Sequence, residues 1–121
     1  MARVPIVRLG DTLIATVQEE LRDGDALALQ EDLSSTIERV GALGILLDLS
    51  AIQTVDSFLG RLLNDIALQT RLLGAQTVVV GIQPAVAITL VELGLELKGV
   101  RTALDPVKGM RLLQQMVRAD G

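Results

Sequence analysis

Residues 44–82 read GILLDLSAIQTVDSFLGRLLNDIALQTRLLGAQTVVVGI, and this stretch decides the fold. Gly44 to Leu49 is a short apolar run of the kind expected for a strand covered on both faces, and Val78 to Ile82 is another. Between them Leu59, Leu62, Leu63, Ile66, Thr70 and Leu73 recur at spacings of three and four, the stripe of a helix that closes at Gly74. A strand, a helix and a second buried strand predict a right-handed parallel crossover.

Working outward, Val4 to Leu9 and Thr12 to Val17 are β-rich runs separated by Gly10-Asp11, which predicts an antiparallel hairpin at the start of the domain. After the polar stretch Gln18 to Asp25, the residues Ala26, Leu29, Leu33, Ile37 and Val40 mark an amphipathic helix ending at Gly41 or Gly44. Downstream, Pro84 occupies the first turn of a helix that runs through Val86, Leu90, Val91 and Leu93 to Gly94. A short strand is expected near Val100 to Leu104, and Pro106 opens a last helix with Val107, Met110, Leu113 and Val117 on its inner face. The order is ββαβαβαβα, an α/β domain with a mixed, mostly parallel sheet spanning residues 1–121 with no internal repeat or linker.

The residues that are missing restrict the chemistry. The 121 residues include no Cys, His, Trp or Tyr, and Phe58 is the one aromatic side chain. Zinc sites built on thiolate or imidazole, Ser-His-Asp and Cys-His nucleophiles, and redox cysteines all need side chains that are not here. We therefore expect no metal and no cofactor. The net charge of −4, without a basic run, argues against nucleic acid as a partner. No signal-peptide pattern precedes the first strand, and the uncharged run Val78 to Val91 is divided by Gly81, Gln83 and Pro84 and too short to span a bilayer. A cytoplasmic protein without membrane contact is the expectation. Half the residues are hydrophobic, which fits either an all-aliphatic core or apolar surface left open for a partner or another subunit.

In open α/β sheets, function gathers where strands lead into helix N-termini. Two such corners are legible, Ser50 to Phe58 and Gly81-Ile82-Gln83-Pro84-Ala85. Asp56 and Ser57 precede the second helical stripe, so either can cap that helix, and capping alone accounts for both. The functional alternative is that Ser57 presents its hydroxyl to a kinase. A phosphate there brings about 1.5 to 2 negative charges to a helix start, where amides and macrodipole favour an anion. Arg61, one turn on, would partly neutralise it, and Asp56 would repel it. Asp48 and Asp56 also form a conceivable carboxylate pair for a small enzyme, although no further catalytic group is identifiable. No Gly-rich phosphate-binding loop follows any strand.

Val55-Asp56-Ser57-Phe58 and Val80-Gly81-Ile82-Gln83-Pro84-Ala85-Val86-Ala87 resemble the stressosome proteins, and the chain looks like the RsbS-type member, a single STAS domain without a sensor module. Gln30-Glu31-Asp32-Leu33 and Glu92-Leu93-Gly94 carry the resemblance over essentially the full length. It implies a STAS fold and a non-enzymatic scaffold, with no catalytic residue, that binds and sequesters a serine/threonine switch kinase. The assembly would be a large hetero-oligomeric complex with sensor-bearing STAS paralogues. Phosphorylation of Ser57 would release the kinase, a phosphatase would reset the system, and Asp56, Ser57 and Phe58 would form the partner-binding corner. Thr89 lies near a second phosphorylated threonine of the paralogues and reads as an ordinary helix residue. Within the same superfamily, an anti-sigma factor antagonist that binds its anti-sigma factor directly is the alternative.

Overall fold

The computed structural model describes residues 4–19 and 21–120. They form β1 (Ile6–Leu9), β2 (Thr12–Thr16), α1 (Asp23–Val40), β3 (Gly44–Asp48), α2 (Ser57–Leu72), β4 (Gln76–Val80), α3 (Pro84–Glu92), β5 (Arg101–Ala103) and α4 (Pro106–Asp120). The five strands lie in chain order in one sheet. β1 and β2 pair antiparallel through the Gly10-Asp11 turn, with Leu9 opposite Thr12, and every later neighbour is parallel. This is the expected order and class.

The sheet separates two cores. On one face Leu13, Ala15, Ile45, Leu47 and Val79 pack against the buried stripes of α1 (Leu29, Leu33, Ile37), α2 (Leu59, Leu62, Leu63, Ile66) and α3 (Val86, Leu90). On the other face Leu46, Val78 and Val80 meet Leu113 of α4. Successive side chains of a strand point to opposite faces, so the consecutive apolar residues Ile45 to Leu47 of β3 and Val78 to Val80 of β4 follow from both faces being covered. Ile45, Leu46 and Leu47 are each fully buried, and burying a side chain of that size contributes roughly 1.5 to 3 kcal/mol.

Several boundaries and faces differ from the sequence reading. α1 begins at Asp23, three residues before its apolar stripe, because the Asp25 carboxylate accepts the Arg22 amide at 3.2 Å and closes the first turn over polar residues. Gly41, with φ of 68°, ends α1, whereas Gly44 is the first residue of β3. β4 spans 76–80, not 78–82: Gly81 has φ of 76°, which extended backbone does not adopt, so Ile82 falls in the loop. Leu73, Val91 and Leu93 of the expected stripes are exposed: Leu73 lies past the last helical residue of α2 as its C-cap, and α3 buries Val86 and Leu90. Val107 is 69% exposed.

Of the expected inner face of α4, Leu113 is buried and Met110 and Val117 are half-buried, and Gly109 with the half-buried Leu112 and Met116 joins them. Gly109 lies so close to the sheet that a Cβ there would sit 2.3 Å from Val80 Cγ1 and 2.8 Å from Leu46 Cδ1. A reading that follows apolar side chains cannot see a helix face whose central residue has none.

Candidate functional site

The site is the crossing from β3 to α2. β3 ends at Asp48, whose Oδ1 accepts the Ser50 amide at 2.9 Å, and the chain turns through Ile52, whose amide donates to the Leu49 carbonyl at 2.9 Å. Ile52 is buried and anchors the loop, while Gln53 and Thr54 stand exposed. Residues 55–58 then enter the helix.

Asp56 is the N-cap of α2: its backbone is extended and its Oδ1 accepts the Leu59 amide at 3.0 Å. Ser57 is the first helical residue, and α2 runs on with its buried stripe beginning at Leu59. The two capping candidates are thereby separated, because the cap is made by Asp56. The Ser57 side chain is half-buried and, among the described residues, its hydroxyl has no hydrogen-bond partner. The amides of Ser57 and Phe58 are the first of the helix and have no preceding turn to donate to. A free hydroxyl therefore sits at the positive end of a sixteen-residue helix.

The surroundings are mixed in charge. Arg61, one turn along α2, is exposed and makes no ion pair or hydrogen bond among the described residues. It shares a groove between α1 and α2 with Asp23, Leu27, Asp65 and Phe58. Phe58 is half-buried: part of its ring packs against the main core and part lines this groove and a neighbouring cavity walled by Glu19, Leu21, Ile52, Val55 and Asp56. Asp56, Ser57 and Phe58 thus occupy one surface corner, as expected from their order in the chain.

The second corner lies beside the first. Gln83, the N-cap of α3, donates its side-chain amide to the Ser50 carbonyl at 2.8 Å. A Cβ on Gly81 would stand 3.0 Å from Asp48 Oδ1 and 3.1 Å from the Ser50 amide, so a residue with a side chain there would press on the start of the loop. Glu19, from the β2–α1 connection, reaches the middle of the loop and accepts from the Gln53 amide at 2.7 Å and the Thr54 hydroxyl at 3.1 Å. Sequence reasoning missed both Gln83 and Glu19 as loop-holding residues. Glu19 lies in a polar stretch with no pattern of its own, and Gln83 was visible only as part of a motif.

Asp48 and Asp56 each commit an oxygen to a backbone amide of their own turn, the role of a turn-closing and a capping carboxylate. Thr89 donates its hydroxyl to the Ala85 carbonyl at 3.0 Å, one turn back in α3, as helix threonines commonly do. No group of three or more acidic, His or Cys side chains among the described residues is placed to hold a metal ion. No helix among them is long and apolar enough to cross a membrane.

With this geometry in view, the comparison with known families is informative: residues 3–105 match the model of the STAS domain. The chain belongs to the STAS domain family. This STAS domain has 40% sequence identity to a serine-to-glutamate variant of RsbS from Moorella thermoacetica, with a TM-score of 0.82 over 97% of this chain and 99% of that one. A chain in the structure of the stressosome, described there as a signal integration and transduction hub, is also 40% identical, with a TM-score of 0.80 over 94% of this chain and 99% of that one. RsbT co-antagonist protein RsbRD of Bacillus subtilis is 33% identical over 81 residues, which is 64% of this chain and 29% of that protein. The STAS domain thus spans under a third of the length of this curated relative. The unphosphorylated anti-sigma factor antagonist SpoIIAA shares the fold, with a TM-score of 0.72 at 13% identity.

Proposed function

We propose that this STAS domain, taken as one unit over residues 1–121, is a non-enzymatic stressosome scaffold that binds a serine/threonine switch kinase and releases it when Ser57 is phosphorylated. The observation that carries the reading is the division of labour at the start of α2. Asp56 makes the cap, which leaves the Ser57 hydroxyl at a helix N-terminus without a hydrogen-bond partner among the described residues. A phosphate at that position need not break any hydrogen bond among the described residues. It adds about 1.5 to 2 negative charges beside Asp56, with Arg61 as the nearest cation along the helix. A kinase surface seated over Asp56, Ser57 and Phe58 would have to bury that charge without a matching partner, which is expensive.

The 40% identity to RsbS and to a stressosome chain, both nearly full-length, supports assembly with sensor-bearing STAS paralogues in a large cytoplasmic complex. A phosphatase acting on Ser57 would complete the cycle. Direct binding of an anti-sigma factor is the competing role within the superfamily, and it predicts a small complex in place of a very large one.

The test is incubation with the switch kinase of the same genome and ATP, followed by phosphosite mapping and measurement of the kinase affinity. We expect stoichiometric modification of Ser57, loss of binding on modification, and the same loss in Ser57→Asp. Ser57→Ala should bind the kinase and accept no phosphate. Modification at Thr89 or elsewhere, or a phosphorylated Ser57 that still holds the kinase, refutes the proposal.

A further inference from the structure

We infer that Glu19 is a positioning residue that holds the loop 50–58 in the shape a partner recognises, an inference that rests on the reading of Ser57 above. The loop is fixed unevenly. Ile52 anchors it inward and Asp56 fixes its junction with α2, but Gln53 and Thr54, between these two points, are exposed. Among the described residues a single side chain from elsewhere reaches them: both oxygens of the Glu19 carboxylate are used, Oε2 on the Gln53 amide at 2.7 Å and Oε1 on the Thr54 hydroxyl at 3.1 Å. Glu19 also walls the cavity beside Asp56 and Phe58, so the grip and the recognition corner adjoin.

Hydrogen bonds to a charged acceptor are stronger than neutral ones, and a carboxylate offers lone pairs for two donors at once. Without this grip the exposed stretch regains backbone freedom, and a partner must order it again on binding. Glu19 therefore acts on recognition through the loop without contacting the Ser57 hydroxyl. Gln at this position can keep both contacts, its carbonyl accepting from the Gln53 amide and its amino group donating to the Thr54 hydroxyl oxygen. Ala can keep neither, and Thr54→Val removes one of the two.

The experiment uses the full chain and the purified switch kinase of the same genome. Amide exchange at Gln53 is followed by NMR and kinase affinity by titration, for the unaltered protein, Glu19→Ala, Glu19→Gln and Thr54→Val. In Glu19→Ala we expect exchange at Gln53 to rise at least about tenfold with the central strands still protected. Kinase affinity should fall about 5- to 30-fold, the cost of ordering the backbone of one residue. Thr54→Val should lie between Glu19→Ala and the unaltered protein, and Glu19→Gln should restore both readouts. Unchanged exchange at Gln53 in Glu19→Ala overturns the inference, as does faster exchange with unchanged affinity, or a Glu19→Gln variant as weak as Glu19→Ala. Should the unaltered protein fail to bind the kinase or to be modified at Ser57, the failure lies in the proposed function, and no Glu19 variant is needed to see it.

Discussion

Asp56 Oδ1 accepts the Leu59 amide at 3.0 Å, so the carboxylate beside Ser57, and not Ser57 itself, caps α2. The cap and the proposed switch are adjacent residues with separate tasks, and separate tasks can be mutated apart.

Asp56→Ala should lower stability by about 1 kcal/mol, the usual loss for a capping side chain, which for a chain of this size corresponds to about 4 °C in Tm. Ser57→Ala and Ser57→Asp should stay within about 0.5 kcal/mol of the unaltered protein, because no hydrogen bond among the described residues uses the Ser57 hydroxyl. Urea titrations of the three variants give the comparison. A larger loss in Ser57→Ala than in Asp56→Ala would reverse the assignment of the cap.

Gly81→Ala should destabilise by about 1 to 3 kcal/mol, since Gly81 has φ of 76° and an added Cβ would meet Asp48 Oδ1 and the Ser50 amide at 3.0 to 3.1 Å. The disturbance should be directional. Amide chemical shifts at Ser50 should move, and those in the Gly10-Asp11 hairpin should not.

Gly109→Ala should cost about 1 to 3 kcal/mol even though Ala favours helices, because its Cβ would stand 2.3 Å from Val80 Cγ1. Combining it with Val80→Ala should cost less than the sum of the two single changes, measured by denaturant unfolding. Simple additivity would mean that α4 does not rest on β4 through this contact.

Thr70 and Thr77 hydroxyls meet at 2.7 Å in the core, and Thr70 also approaches the Ala67 carbonyl at 3.1 Å. Thr70→Val should cost about 1 to 3 kcal/mol by leaving the buried Thr77 hydroxyl unpaired. Thr70→Val with Thr77→Val should recover part of that loss. A double variant as weak as the sum of the single ones would show that the two hydroxyls are independent.

Much of this molecule is legible in its local residue patterns. Ile45 to Leu47 and Val78 to Val80 announce buried strands, the stripe from Leu59 to Thr70 announces α2, and Gly10-Asp11 announces the hairpin. Such signals are local, because side-chain direction along a strand or helix repeats over a few residues. They failed where no apolar side chain marks the face, as at Gly109 on α4, or where polar residues start a helix, as at Asp23 to Asp25. The open apolar surface allowed for by composition is present as well, at Leu72 and Val91, each nearly four-fifths exposed.

The sequence by itself determined the order of elements and the neighbourhood of Ser57, since both follow from residues within one or two turns of each other. Only the tertiary structure decided which residue caps α2, how Gln83 reaches the Ser50 carbonyl, and that Glu19 grips Gln53 and Thr54. Those last contacts join residues more than thirty positions apart. They exist because the parallel register of β2, β3 and β4 brings the ends of three strands to one edge, and no local periodicity encodes which polar side chains then come within hydrogen-bonding distance.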